Sequence, residues 1–171
     1  MKHIIRPMFP DEYNLLKDFL YEAIFVPKGM ESPPRSIVDL LELRMYTENF
    51  GKTDDHALIA EVNGQIVGAV WVRIMNDYGH IDNETPSLSI SVFKEYRGSG
   101  IGTELMKEML RLLKTKGYQK VSLSVQKENR AVSLYKRLSF QVVKTNEEDY
   151  IMIYNLEEEN VNACENQRRS T

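Results

Sequence analysis

The stretch from Leu88 to Gly117 constrains the fold of this 171-residue chain more than any other. It opens with apolar residues at alternate positions, separated by serines, which is the period of a β-strand. The glycine-rich run Arg97-Gly98-Ser99-Gly100-Ile101-Gly102 follows, and apolar residues then recur at helical spacing up to the capping Gly117. A strand, a glycine-rich turn and a helix in this order typically bind phosphate groups, because glycines let backbone N–H groups approach an anion closely.

Two common phosphate-binding motifs fit this turn poorly. The glycines follow the pattern G-x-G-x-G, whereas dinucleotide-binding folds carry G-x-G-x-x-G. A P-loop requires Lys-Ser or Lys-Thr after its last glycine, and Gly102 is followed by Thr103 and Glu104. The missing lysine argues against a nucleotide-binding regulatory domain. A tight strand-to-helix turn without any ligand is the simpler alternative.

The run from Arg97 to Gly102 resembles the acetyl-CoA loop of the GNAT superfamily of N-acetyltransferases. That loop reads Arg or Gln, two residues, Gly, one residue, and Gly or Ala. Arg97, Gly100 and Gly102 match it position by position. The resemblance covers most of residues 57–156 and implies transfer of an acetyl group from acetyl-CoA to an amine.

A second stretch resembles the other GNAT signature, in which Asn, Ala, Leu-Tyr and then Gly-Phe recur on the helix after the fifth strand. Asn129 and Tyr135 match it, but Ser139 stands where glycine usually precedes Phe140. The resemblance implies that Asn129 lies beside the pantetheine arm of CoA and that Tyr135 points at its sulfur. The simpler alternatives are an Asn that caps the helix and a Tyr that belongs to the core.

The pattern along the chain predicts strands at residues 3–6, 57–62, 65–74, 88–92, 120–125, 141–145 and 150–156. It predicts helices at residues 11–24, 36–50 and 129–138, besides the one that ends before Gly117. With the resemblance, this gives an α/β fold of the α+β type. We expect a mixed, partly antiparallel central sheet of about six to seven strands, flanked by about four helices. Residues 1–159 form this single domain, and the polar residues 160–171 are expected to be a disordered tail.

Composition indicates the cellular compartment and the class of protein to be expected. An apolar fraction of 42% and a charged fraction of 27% are ordinary for a globular protein, and no apolar run reaches the length of a membrane span. The single cysteine, Cys164, excludes an internal disulfide framework. The first residues lack the apolar core of a signal peptide. We therefore expect a cytoplasmic protein that binds no membrane.

Charge is distributed unevenly along the chain. Residues 1–93 carry a net charge of −6, residues 94–144 carry +8, and residues 145–171 carry −5. The positive block contains the glycine-rich turn, which suits the phosphates of CoA. A solvated helix surface of mixed charge explains some of the lysines equally well. Binding of nucleic acid is not expected, because the basic residues are interleaved with acids and the whole chain is acidic.

The resemblance also implies a set of site residues. Binding of acetyl-CoA is expected from Ile90, Ser91, Val92, Arg97, Gly98, Ser99, Gly100, Ile101, Gly102, Thr103, Asn129 and Tyr135. The strand edge from Ile90 to Val92 would pair with the pantetheine amides beside a β-bulge, and the Val92 N–H would stabilise the thioester oxygen. Tyr135 would give a proton to the leaving sulfur. No metal is expected.

The base and the acceptor are less well determined. Glu84 precedes the central strand, where the family often places a carboxylate, and Tyr78, His80 or water are the alternatives. The acceptor is expected to be a small-molecule or peptide amine, and the acidic N-terminal part slightly favours a cationic one. Monomer and homodimer are both left open. A non-catalytic acyl-CoA-binding sensor of the same fold is the competing hypothesis, although a pure binder would have no need of a proton donor.

Overall fold

The computed structural model describes residues 2–157. The predicted disordered tail, residues 160–171, lies outside the described residues. The strands are β1 Ile4–Pro7, β2 His56–Val62, β3 Gln65–Arg73, β4 Ser87–Val92, β5 Lys120–Gln126, β6 Gln141–Thr145 and β7 Asp149–Asn155. The α-helices are α1 Leu16–Ala23, α2 Leu41–Arg44, α3 Ile101–Thr115 and α4 Ala131–Arg137.

The seven strands form one sheet in the order β1-β2-β3-β4-β5-β7-β6. β4 and β5 run parallel, and every other neighbouring pair is antiparallel. The predicted fold class is therefore confirmed. No helix within the described part of the chain is long and apolar enough to cross a membrane.

Glycine turns end two elements where the sequence predicts them. Asn63 and Gly64 join β2 to β3 with φ of 50° and 80°, the two positive values that a tight hairpin turn requires. Gly117 follows α3 with φ of 86°, and the Tyr118 N–H reaches back to the Leu113 carbonyl at 3.1 Å. This left-handed cap satisfies the last carbonyl groups of α3 and turns the chain into β5.

Helices cover both faces of the sheet. α3 lies on one face and buries the apolar residues Ile101, Leu105, Met106, Met109, Leu110 and Leu113. α1 lies on the other face and buries Leu16, Phe19 and Leu20 against β3 and β4. Each fully buried side chain of this size contributes about 1.5–3 kcal/mol relative to an exposed one, so apolar burial from both sides holds β4 in the centre.

The helix predicted over residues 36–50 is wrong. The chain makes a short 3₁₀ turn, extends at Leu40 with ψ of 145°, and then forms only the four residues of α2. Beyond α2, the carbonyl oxygens of Met45 and Glu48 accept hydrogen bonds from the buried Arg73 at 2.9 and 2.7 Å. A helix continued to residue 50 would bond the Met45 carbonyl to the N–H of residue 49, and the guanidinium on β3 holds that carbonyl in a turn instead.

The helix predicted over residues 11–24 is confirmed in its second half. The first half, Pro10–Leu15, is a 3₁₀ helix, and α1 continues from it without a break. Proline at the first position is compatible with either helix type, because its missing N–H would have no partner there.

Candidate active site

β4 and β5 pair at one position only, where Ser87 lies opposite Ser122. The Ser122 N–H donates to the Pro86 carbonyl at 3.0 Å. Beyond this point the strands separate and leave a gap, which we call the fork, between Val92 at the end of β4 and Gln126 at the end of β5. The bulge expected in β4 is absent, because β4 keeps an unbroken register on β3. The strands thus diverge without one.

The pairing with β3 decides which backbone atoms of β4 face the fork. The Phe93 N–H donates to the Val67 carbonyl at 2.9 Å, so odd-numbered residues of β4 bond to β3 and even-numbered residues face β5. The N–H groups of Ile90 and Val92 therefore open into the fork. The Val92 carbonyl accepts a hydrogen bond from Arg97 Nε at 2.7 Å. This edge can pair with the amides of an extended ligand as another strand would.

Ser91 faces away from the fork. Its backbone lies in register with Ala69 of β3, and its hydroxyl donates to the Phe19 carbonyl at 2.6 Å. Ser91 is 7% exposed. The sequence analysis assigned Ile90, Ser91 and Val92 to the cofactor. Among these three, the Ser91 side chain instead bonds β4 to α1.

The glycine-rich loop at the end of β4 leaves its backbone donors unused. Within residues 2–157, the six N–H groups from Gly98 to Thr103 donate to no protein acceptor, and the first bond into α3 joins the Glu104 N–H to the Gly100 carbonyl at 3.1 Å. Gly98 and Gly100 have φ of 75° and 87°, and a Cβ on either would meet only its chain neighbours within 4 Å. Glycine adopts this conformation without strain, so free donors surround open space at the positive end of α3.

The Arg97 side chain fastens this loop to its surroundings. Besides its bond to the Val92 carbonyl, its guanidinium lies 3.3 Å from the Glu22 carboxylate at the end of α1. The Ser99 hydroxyl turns inward and donates to the Tyr96 carbonyl at 2.6 Å. These side chains shape the loop, and the donors available to an anion are the backbone N–H groups.

Asn129 lies at the start of α4, on the β5 side of the fork. Its side-chain oxygen accepts the Ala131 N–H at 2.9 Å, so the residue caps the helix. At the other end of α4, Ser139 has φ of 78°, and the Phe140 N–H reaches back to the Tyr135 carbonyl at 3.0 Å. A glycine would adopt this left-handed conformation without strain, which explains why the resembled signature carries one there.

Tyr135 is the buried aromatic residue of α4. It is 8% exposed, and its ring packs against Phe140 with the ring centroids 5.8 Å apart. Its hydroxyl forms no hydrogen bond to another described residue and is not sealed from solvent. Burial raises the pKa of the Tyr135 phenol to about 12, so the hydroxyl keeps its proton at neutral pH.

Glu84 lies at the other end of β4. It is exposed and borders a cavity of about 410 Å³ together with residues 116–120, which lead into β5. The span of β4 alone, from Ser87 to Val92, is about 17 Å at the usual rise of a strand. The structure therefore brings Glu84 close neither to the glycine-rich loop nor to the mouth of the fork.

The loop of residues 74–86, which joins β3 to β4, covers the closed end of the fork. It contains Tyr78 and His80, the other candidates for the base. The hydroxyls of the two paired serines, Ser87 and Ser122, donate to Asp77 and to the Gly79 carbonyl at 2.8 and 2.6 Å. Tyr46 holds the second oxygen of Asp77 at 3.1 Å. The sequence analysis missed both serines, because alternating serines in a strand indicate only its polar face.

Residues 2–157 contain no group of three or more His, Cys, Asp or Glu side chains placed to hold a metal ion. The chemistry that the described residues can supply therefore consists of backbone donors at the fork and the loop, the phenol of Tyr135, and imidazole or carboxylate groups near the closed end.

Residues 13–140 match the profile of the acetyltransferase (GNAT) family. An N-alpha-acetyltransferase of Sulfurisphaera tokodaii is 32% identical over 108 residues, which are 58% of this chain and 64% of that protein. An acetyltransferase of Pectobacterium atrosepticum is 35% identical over 90 residues, which are 52% of this chain and 60% of that protein. The chain thus covers less than two thirds of the length of these relatives.

Solved structures share the fold at lower identity. The PaiA N-acetyltransferase of Thermoplasma acidophilum, in complex with coenzyme A, aligns with a TM-score of 0.65 at 22% identity over 91% of this chain and 99% of its own. The ribosomal-protein-S18-alanine N-acetyltransferase of Escherichia coli aligns with a TM-score of 0.66 at 17% identity over 91% and 94%.

Proposed function

The chain belongs to the GNAT family of acetyltransferases, and from this premise we propose that it transfers an acetyl group from acetyl-CoA to a primary amine by direct attack. One observation carries the proposal. The free edge of β4 in the fork leads directly into a loop whose six backbone N–H groups have no acceptor within residues 2–157. A peptide-like arm that ends in phosphates fits such a continuous line of donors.

The cofactor would be held by this line of donors. The pyrophosphate would lie on the N–H groups from Gly98 to Thr103, and the pantetheine amides would pair with the β4 edge at Ile90 and Val92. The net charge of +8 on residues 94–144 favours the approach of a polyanion. Asn129 and Tyr135 border the arm from the β5 side.

Acetyl-CoA supplies the acetyl group as an activated thioester, and the protein supplies orientation, donors and a proton. The N–H groups of Ile90 and Val92 donate hydrogen bonds to an amide of the pantetheine arm and to the thioester oxygen. That oxygen gains negative charge during attack. The amine nitrogen bonds to the carbonyl carbon as the carbon–sulfur bond breaks. The Tyr135 hydroxyl gives its proton to the departing sulfur and recovers one from solvent.

The acceptor is proposed to be the amino group of a small molecule or a peptide. The name of the Sulfurisphaera relative states acetylation of an α-amino group, which supports a peptide N-terminus. The acidic balance of residues 1–93, a net charge of −6, supports a cationic amine such as a polyamine, a lysine side chain or an aminoglycoside. α1 and the loop of residues 26–36 would form the wall on this side.

A panel of amines incubated with acetyl-CoA tests the proposal, with the release of free thiol as the measurement. The panel contains peptides with free N-termini, polyamines, lysine peptides and aminoglycosides. Thiol release that depends on one class of amine supports the proposed function and names the acceptor class. A protein that binds CoA in calorimetry and releases no thiol with any amine would instead be an acyl-CoA sensor.

A further inference from the structure

We propose that His80 accepts the proton that the acceptor amine loses, and that Ser87 and Ser122 are positioning residues that hold it over the closed end of the fork. The inference rests on the proposed function, because a base has a role here only if an amine reacts in the fork. It replaces Glu84, which the sequence analysis favoured by position alone.

The two serines anchor one loop from two strands. Ser87 is 2% exposed and Ser122 is fully buried, and these two residues form the only pair in the β4–β5 register. Their hydroxyls point to the same side of the sheet and donate to Asp77 at 2.8 Å and to the Gly79 carbonyl at 2.6 Å. Since both hydroxyls are buried, losing either bond would leave a polar atom without a partner. The loop is therefore fixed at the point where the strands part.

Gly79 brings this loop into direct contact with β5. A Cβ at this residue would lie 3.3 Å from the Ser124 nitrogen and 3.4 Å from the Leu123 carbonyl carbon. Both are backbone atoms that cannot move aside easily. Ser124 lies beyond the paired Ser122, so Gly79, which precedes His80 in the chain, sits where the fork begins to open.

The hydrogen bonds of His80 leave one ring nitrogen free to accept a proton. Nδ1 lies 2.8 Å from the Met75 carbonyl, and because a carbonyl oxygen only accepts, Nδ1 carries the hydrogen. In the neutral ring, Nε2 then has a lone pair. The His80 backbone N–H donates to the Asp77 carbonyl at 3.2 Å, which fixes the base of the side chain.

The step balances with no further reactant. The amine N–H bond breaks, its proton forms the Nε2–H bond of His80, and the electron pair stays on the nitrogen that bonds to the acetyl carbon. The titratable groups around this end of the fork are Asp77, the neutral Tyr46 phenol bonded to it, and Asp149 of β7, which lies 3.0 Å from the Ser124 hydroxyl.

Glu84 has neither the contact with β5 beyond Ser122 nor the fixed orientation that the loop gives to His80. Its carboxylate is exposed, and its neighbours across the cavity are residues 116–120, which end at the first residue of β5. It lies on the far side of the Ser87–Ser122 pair from the open part of the fork. His80→Gln and Glu84→Gln are therefore a matched pair of variants that remove one candidate base each.

The first experiment measures kcat and the KM for acetyl-CoA, with the best amine of the panel, in these two variants. His80→Gln is expected to lower kcat by about 10²-fold, as for a lost general base, with the KM for acetyl-CoA within about twofold. Glu84→Gln is expected to retain the parent kcat. Added imidazole should restore part of the kcat of His80→Gly. A His80→Gln enzyme with parental kcat would overturn the inference and leave the acetyltransferase function standing.

The second experiment separates positioning from stability by a double-mutant cycle. Ser87→Ala and Ser122→Ala are each expected to lower kcat about tenfold in the parent and to have no further effect on kcat in His80→Gln. The control is Ser124→Ala, which removes a hydroxyl of the same strand that bonds to Asp149 instead of the loop. If the serine effects persist in full in His80→Gln, the serines act on the fold alone.

A third measurement does not depend on activity. Nitrogen-15 NMR of the imidazole should show the neutral ring of His80 protonated at Nδ1, and Ser122→Ala should broaden or shift that signal while Ser124→Ala leaves it unchanged. A ring protonated at Nε2 would overturn the inference, because that nitrogen could not then accept the proton. A parent protein that releases no thiol with any amine would remove the proposed function, and this inference with it.

Discussion

The part of the molecule from β4 to α4 and the part formed by residues 7–50 are built in different ways. The first contains the fifteen-residue α3 and strands with periodic apolar burial. The second contains helices of eight and four residues joined through 3₁₀ turns. It is held by single side chains that reach out of β3, such as Trp71, whose indole N–H donates to the Tyr46 carbonyl at 3.0 Å. Regular periodicity organises the proposed cofactor part, and individual long-range contacts organise the proposed acceptor part.

This difference suits the two proposed ligands. A cofactor of constant shape requires donors at constant positions, and rigid strands and helices provide them. Acceptors vary, and a wall of short helices and turns can change without disturbing the sheet behind it. Variants in the two parts should therefore affect different measurements, and the predictions below test that separation.

The largest effect is expected from Tyr135→Phe, which removes only a hydroxyl from the cofactor part. The ring and its contact with Phe140 remain, so CoA affinity and melting temperature should be nearly unchanged. Loss of a general acid should lower kcat by about 10²–10⁴-fold. Steady-state kinetics with calorimetric titration of CoA measure both. A kcat within a few-fold of the parent, with chemistry rate-limiting, would make Tyr135 an ordinary core residue.

Where β3 holds the acceptor part through Arg73, Asp55→Asn should cost about 3–5 kcal/mol of stability, because it breaks a buried ion pair and leaves Arg73 uncompensated. The two side chains are 4% and 6% exposed and lie 2.9 Å apart. The melting temperature should fall by about 10 °C. CoA affinity, measured below the transition, should not change.

Glu48→Gln is the matched control for this loss. Glu48 pairs with Arg44 on the surface at 3.2 Å, with both side chains more than 40% exposed. Such exposed pairs contribute little, so its melting temperature should stay within about 2 °C of the parent. If Asp55→Asn lowered the melting temperature and also weakened CoA binding measured below the transition, the two parts of the molecule would not be separable.

Gly100→Val should raise the dissociation constant of CoA by about 100-fold. Valine is strained at a φ of 87°, and relaxation of that strain would turn the loop donors away from the pyrophosphate. Gly29→Val is the control, because Gly29 has φ of 85° and equally open surroundings in the loop of residues 26–36. It carries the same strain outside the proposed cofactor site. Equal CoA affinity in a folded Gly100→Val protein and in the parent would exclude the loop from the site.

The smallest effect concerns alkaline pH. Because burial favours the neutral phenol, the pKa of Tyr135 is about 12 in the folded protein, against about 10 in the unfolded chain. The contribution of the neutral Tyr135 phenol to the free energy of unfolding is therefore complete below pH 10 and is lost as the pH rises from 10 to 12. Between pH 8 and pH 11, the free energy of unfolding should fall by about 1 kcal/mol more in the parent than in Tyr135→Phe.

Urea unfolding at the two pH values measures this difference. Burial and the neighbouring Asp77 also raise the pKa of Tyr46, on the acceptor side, but that residue is present in both proteins and its contribution cancels. Equal losses in the parent and in Tyr135→Phe would show that the Tyr135 hydroxyl is well solvated in the folded state.

Most of the fold could be predicted from the sequence where local chemistry and tertiary packing require the same conformation. The alternating residues of β4, the glycines of the loop and the capped amphipathic α3 each determine their own element, and Asn63-Gly64 determines a hairpin. The helix predicted over residues 36–50 failed for the opposite reason. Its apolar spacing favoured a helix, but the carbonyls of Met45 and Glu48 bond to a guanidinium that lies 25 residues or more further along the chain.

The candidate site divides in the same way. The sequence alone determined that a strand, a glycine-rich turn and a helix would present free backbone donors, because only glycine adopts the left-handed conformations of Gly98 and Gly100 without strain. Tertiary structure alone decided that Ser91 faces α1, that Glu84 lies away from the fork, and that Ser87 and Ser122 anchor one loop. These outcomes depend on which strands pair and where they part, and such long-range pairing leaves no local pattern in a single sequence.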